Sequence, residues 1–168
     1  MIHFRDASPE DAGLISHIYA SSWRKSYREL INPDYLDRLP DEYWVPSLRS
    51  WLSSGRLEAL LIYEDKQPLG CACYGRGRDE DHGDWGEIVS IYMAPEWVGQ
   101  GYGSQLLQET LQQLKDQGFT RYYLWMLRDN QRAASFYMRH GFHRTGDTVT
   151  YPIGGQQITD VRLVRVDK

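Results

Sequence analysis

Three glycines at alternate positions stand in Gly99-Gln100-Gly101-Tyr102-Gly103-Ser104, a short turn after the apolar run Ile88-Val89-Ser90-Ile91-Tyr92-Met93. A strand, a glycine turn and a helix start, in that order, aim successive backbone amides from the positive end of the helix, and glycine lets a ligand come close to the main chain. Such a nest suits phosphate or pyrophosphate; the plainer alternative is a glycine-rich turn with no ligand. The segment has neither the Gly-Lys-Ser/Thr ending of a P-loop nor the third-glycine spacing of the dinucleotide fingerprint, which weighs against nucleotide hydrolysis and nicotinamide binding.

A second group lies in Asn130-Gln131-Arg132-Ala133-Ala134-Ser135-Phe136-Tyr137-Met138-Arg139-His140-Gly141-Phe142. On a helix Asn130, Ala134 and Tyr137 share one stripe, with the small Ala134 leaving room for a groove wall. Phe136 reads as core and His140 as a residue near the helix C-terminus. Tyr137 carries a transferable proton, although a packed tyrosine is the commoner use of that residue type. Cys71 and Cys73 are the only cysteines. At i and i+2 on a strand they share a face, no histidine or second cysteine pair follows at zinc spacing, and they read as buried thiols with no metal implied.

The elements that must position these residues follow from periodicity. Residues 2–5 read as a strand, Ser8-Pro9 as a helix start, Asn32-Pro33 as a second cap, and Trp44, Leu48, Trp51 and Leu52 as one face of a further helix. Runs at residues 57–63 and 69–74 flank a charged turn and predict an antiparallel hairpin, and residues 86–93 add a strand. A helix over about 101–117, a strand over 122–126, a helix over 130–140 and strands near 143–151 and 157–166 complete the chain. Strands in a run followed by a strand–helix–strand unit predict a mixed α/β (α+β) domain rather than a doubly wound sheet.

Composition narrows the function. The 168 residues suit one domain, 1–168. Lys and Arg total 19 against 23 Asp and Glu, a net charge of −4 that weighs against nucleic-acid binding. No apolar run approaches a bilayer span and the N-terminus lacks signal-peptide regions, so a cytoplasmic protein without a membrane partner is expected. The acidic run Asp79-Glu80-Asp81 with Asp84 could attract a cation, but a solvated loop is the simpler reading.

Taken in order, the two groups resemble the GNAT superfamily of acetyl-CoA-dependent N-acetyltransferases. Residues 94–104 are similar to its pyrophosphate loop, residues 130–142 to its second cofactor motif, and Trp125-Met126 lies between them on a strand. One departure is Val98, where the family usually has Arg or Gln. The resemblance implies a mostly antiparallel central sheet of about seven strands flanked by about four helices. It implies acetyl-CoA as cosubstrate, with the backbone of Ile91, Tyr92 and Met93 on the pantetheine arm. It also implies Val98, Gly99, Gln100, Gly101, Tyr102, Gly103 and Ser104 around the pyrophosphate, and Asn130 helping to hold the cofactor. Acetyl transfer would go directly to a primary amine, with Tyr137 protonating the departing thiolate and Glu87, at the head of the motif strand, as the expected base. The acceptor site is expected around residues 23–35 and 148–157, in a monomer or homodimer. A non-catalytic acyl-CoA sensor or scaffold is the other class of function compatible with the motifs.

Overall fold

The computed structural model describes all residues, 1–168. One seven-stranded sheet runs through the chain: β1 (Ile2–Asp6), β2 (Glu58–Glu64), β3 (Gln67–Arg76), β4 (Gly86–Met93), β5 (Arg121–Leu127), β6 (His143–Ile153) and β7 (Gln156–Val166), in spatial order β1-β2-β3-β4-β5-β7-β6. Every neighbouring pair is antiparallel except β4 and β5. Five α-helices flank it: α1 (Ala12–Ser26), α2 (Pro33–Arg38), α3 (Val45–Ser54), α4 (Tyr102–Asp116) and α5 (Gln131–Arg139). About four had been expected. The additional helix is the six-residue α2, which Asn32 starts by accepting the Asp34 N–H and Pro33 by its preset φ.

The two faces carry separate cores. Leu106, Leu107, Leu111 and Leu114 of α4 and Ala134 of α5 pack with Ile88, Leu124 and Leu163 on one side. Ala12, Ile15, Ile18 and Tyr19 of α1 pack with Leu48 of α3, Ala59, Leu61, Cys71 and Cys73 on the other. Both thiols are buried as expected, and burial pushes both above the ordinary cysteine range, so they stay protonated.

Two irregularities shape the middle of the sheet. Cys73 pairs with Ser90 and Tyr74 with Ile88, leaving Val89 as an extra residue in β4. At this bulge Val89 packs against the α1 core, and Ser90 also turns to that face, its Oγ bonded to the Tyr19 hydroxyl. The parallel pairing of β4 with β5 stops after Gly86↔Tyr122 and Glu87↔Tyr123. Beyond that point the two strands diverge with no ladder between them, and the β5-facing backbone edge of β4 opens onto a cleft.

Candidate active site

The cleft is a groove of about 1210 Å³. It is walled by β4 from Ile88 to Met93, by β5 from Leu124 to Leu127, by α5, by the loop before α4, and by residues 25–30 at the end of α1. The split sheet therefore joins its two faces at one place.

At the α4 end, Gly99 and Gly101 have φ of +81° and +87°, which glycine adopts at little cost. Gly101 is the N-cap of α4 and supplies no capping side chain. The backbone N–H groups of residues 99–104 donate to no acceptor in the protein, although four such groups at a helix start need partners. A Cβ on Gly101 would meet nothing within 4 Å, so the space beside the loop is open. Six free amides at the positive end of a fifteen-residue helix make an anion cradle. Val98 faces solvent with an extended backbone and leaves those amides available.

Three cations add to that potential. Lys25, Arg132 and Arg139 line the groove, and none makes a salt bridge or hydrogen bond. Arg132 lies close to Gly99, its Nη2 within 3.5 Å of the position a Cβ would occupy there. Sequence reasoning passed over Arg132; its place two residues after Asn130, facing the glycine loop across space, was the available signal.

Tyr137 also lines the groove. Its ring packs edge-on against Phe136 and Phe142, with centroids 5.3 and 5.9 Å apart, while its hydroxyl has no hydrogen-bond partner in the protein. Burial, helped by nearby Tyr92, pushes its phenol above the ordinary tyrosine range, so it keeps its proton. Asn130 caps α5, its Oδ1 accepting the Ala133 N–H at 3.1 Å, and its amide group remains free on the groove wall. Across the groove, Trp23 Nε1 and the Tyr27 hydroxyl both donate to the Tyr92 hydroxyl, at 3.0 and 3.4 Å.

Glu87 sits elsewhere. It is 1% exposed and not part of the groove wall. Oε1 accepts from the Arg78 N–H, Arg78 Nε and the Tyr123 hydroxyl, and Oε2 accepts Arg78 Nη2 at 2.9 Å. Three donors crowd Oε1 and one takes Oε2, an arrangement that fixes Arg78 and Tyr123, while burial keeps the carboxylate off the groove. The base expected at Glu87 is therefore an anchor in this geometry.

The acidic run is exposed at Glu80, Asp81 and Asp84, as expected of a solvated loop, but two of these carboxylates pair across the fold. Arg162, with 6% of its side chain exposed, reaches Asp79, Asp81 and Asp147 at 3.1 to 3.3 Å. Trp125 Nε1 donates to Asp79 at 2.8 Å. A smaller cleft of about 520 Å³ over this network shares Trp125 with the main groove. The sequence hid it because Arg162 lies more than eighty residues from Asp79.

No three His, Cys, Asp or Glu side chains gather where they could hold a metal ion. No helix is long and apolar enough to cross a membrane.

A split parallel strand pair, an amide nest at one end and a proton-bearing tyrosine at the other fit an extended, phosphate-bearing ligand. The sequence pattern of the Acetyltransferase (GNAT) family matches residues 23–142, and the chain belongs to that family. It is 29% identical over 165 residues to an uncharacterized N-acetyltransferase, YuaI, of Bacillus subtilis strain 168, covering 97% of this chain and 92% of that one. Over 146 residues it is 23% identical to a spermidine N(1)-acetyltransferase of Thermoplasma acidophilum, covering 84% and 88%. Among solved structures, the PaiA N-acetyltransferase of the same organism in complex with coenzyme A superposes with a TM-score of 0.77 at 19% identity, covering 99% of each chain. The chain is an acetyl-CoA-dependent acyltransferase. Its free amides, unpaired cations and open strand edge fit that cosubstrate.

Proposed function

We propose that this chain transfers the acetyl group directly from acetyl-CoA to a primary amine. Acetyl-CoA supplies the activated carbonyl and a thiolate leaving group. The amides of residues 99–104, entered from Val98, hold the pyrophosphate, with Arg132 as a further cation. The free edge of β4 at Ile91, Tyr92 and Met93 takes the pantetheine arm as an added strand would, which directs the thioester through the split toward Tyr92 and Tyr137. Asn130 offers its side-chain amide beside that path.

Tyr137 gives its proton to the departing sulfur. The observation that carries the reading is its unpartnered hydroxyl, placed in the groove wall and kept protonated by burial. The hydroxyl is not sealed in the core and opens onto the groove, where a leaving sulfur can meet it. The acceptor approaches from the α1 face, where residues 25–30 form the opposite wall. Both cysteines lie buried and protonated away from that wall, which favours direct transfer over an acetyl-enzyme. Similarity to the spermidine N(1)-acetyltransferase places alkylamines among the first acceptors to test.

The test is CoA release with acetyl-CoA and a panel of butylamine, 1,4-diaminobutane, spermidine, alaninamide and a short peptide with a free N-terminus. Amine-dependent release is expected. Tight acetyl-CoA binding with no release for any amine would favour the sensor reading instead.

A further inference from the structure

One partly buried carboxylate on the acceptor face has no cation. Asp160 of β7 pairs with Leu127 of β5, whose side chain lines the groove, at the level where β4 and β5 have separated. Its Oδ2 accepts the Tyr151 hydroxyl at 2.9 Å, and it makes no salt bridge. The buried Glu87 is matched by Arg78, and the more exposed Asp79, Asp81 and Asp147 are matched by Arg162. Glu29 is also unpaired, but it stands exposed at the rim.

Asp160 is not itself a wall residue; Tyr151, whose hydroxyl it accepts, packs in one cluster around Ile158 with Tyr27 and Leu127, which are wall residues. Those phenols, with Trp23 against Tyr27, form an aromatic frame around a single negative charge. A half-buried carboxylate with no cationic partner is costly unless a cation completes it, and aromatic faces favour an alkylammonium over a hydrated ion.

We propose that Asp160 receives the acceptor's ammonium group in this frame and takes from it the proton that must leave before attack. The inference rests on the direct-transfer reading and assigns its missing base. The proton balance closes. Of the ammonium's three protons, one passes to Asp160 and on to solvent, and one stays on the amide nitrogen. The third returns to Tyr137 after that residue has protonated the sulfur. The N–C bond forms as the C–S bond breaks, and the electron pair of the latter leaves with sulfur. Burial holds the Asp160 carboxyl above the ordinary aspartate range, against the Tyr151 hydrogen bond, which makes it a stronger base than a free aspartate. The titratable and charged groups around it are Tyr27, Tyr92, Tyr137, Tyr151 and Arg162, with Lys25, Arg28 and Glu29 exposed at the rim, and the tyrosines stay neutral across the working pH range.

The experiment compares the parent with Asp160→Asn, which can still accept the Tyr151 hydroxyl, and with Asp160→Glu, using whichever amine of the panel the parent turns over fastest. Asp160→Asn should bind that amine at least tenfold more weakly by calorimetry in the presence of CoA. It should also lose a hundredfold or more in kcat/KM at neutral pH and recover part of that loss as pH rises. Its acetyl-CoA affinity and Tm should match the parent's, and Asp160→Glu should restore part of the activity. Parental amine affinity and pH profile in folded Asp160→Asn would overturn the assignment while leaving direct transfer intact. If the parent releases CoA for no amine, the underlying reading fails first, and this proposal with it.

Discussion

Replacing Tyr137 with Phe removes one oxygen from the groove and little else. The hydroxyl makes no hydrogen bond in the protein, so its loss leaves no donor or acceptor unsatisfied, and the edge-on contacts with Phe136 and Phe142 survive in the Phe ring. Stability should change by less than about 0.5 kcal/mol. Turnover should fall by roughly 10²–10⁴, the usual contribution of a positioned proton donor, which corresponds to about 2.7–5.5 kcal/mol in the barrier. The raised pKa fixes how that loss varies with pH. A phenol held above the ordinary tyrosine range is protonated from pH 6 to 9, so the ratio of parent to variant rates should stay constant across that span. A phenol is also a weaker acid than a thiol in water, by about 1.5 pKa units or roughly 2 kcal/mol. The proton must therefore move as the C–S bond breaks, in a site where burial also destabilises a free thiolate. The assay is steady-state CoA release over that pH range beside calorimetric acetyl-CoA affinity. Near-parental turnover in folded Tyr137→Phe, or a rate ratio that collapses toward one at low pH, would refute the acid role.

Three further outcomes follow from other parts of the molecule. Gly101→Val forces a β-branched residue to φ +87°, where strain is on the order of 1–2 kcal/mol; loop rearrangement should weaken acetyl-CoA binding roughly tenfold by calorimetry while the fold persists, and unchanged affinity would remove the loop from the cofactor site. Glu87→Gln breaks the buried end of the Arg78 pair and should cost about 1–3 kcal/mol in denaturant unfolding, with a pH–rate profile of parental shape; a rate loss concentrated below neutrality would restore Glu87 as the base. Asp11, held below the ordinary carboxylate range first by its Arg5 hydrogen bonds, binds fewer protons folded than unfolded. Its contribution is therefore present above about pH 4 and lost as pH falls through the lower folded value. With Arg5 45% exposed the effect should stay under about 1 kcal/mol, and Asp11→Asn should flatten the acid limb of stability below about pH 4.

The sequence made the local features legible. Pro9, the Asn32-Pro33 cap, the leucine stripe of α4 and the alternate glycines each act through their own backbone or their helical neighbours, so their consequences could be read in place. The same holds for the stripe of Asn130, Ala134 and Tyr137, which the groove wall brings together. Strand parity in β4 was different, because the extra residue Val89 turns Ser90 to the α1 face without any composition signal. Glu87 was expected at the chemistry from its place on the motif strand. What occupies it, Arg78 and Tyr123, comes from a loop and from a strand 36 residues away. Asp160 and Arg162 were silent for the same reason. Two polar residues in a strand whose partners lie on β5, β6 and the residue 79–81 segment acquire meaning only when the sheet order β5-β7-β6 is known.

The central claim is direct passage of the acetyl group through the split in the sheet, and a single turnover tests it most directly. Stoichiometric protein and radiolabelled acetyl-CoA are mixed, with and without the best amine of the panel, quenched at intervals, and the label is assigned to protein, amine or unreacted cosubstrate. Without amine, the label should remain on acetyl-CoA and the protein should stay unlabelled. With amine, labelled amide and free CoA should appear at one common rate. Labelled protein that forms before the amide, with CoA released ahead of amine addition, would contradict direct transfer.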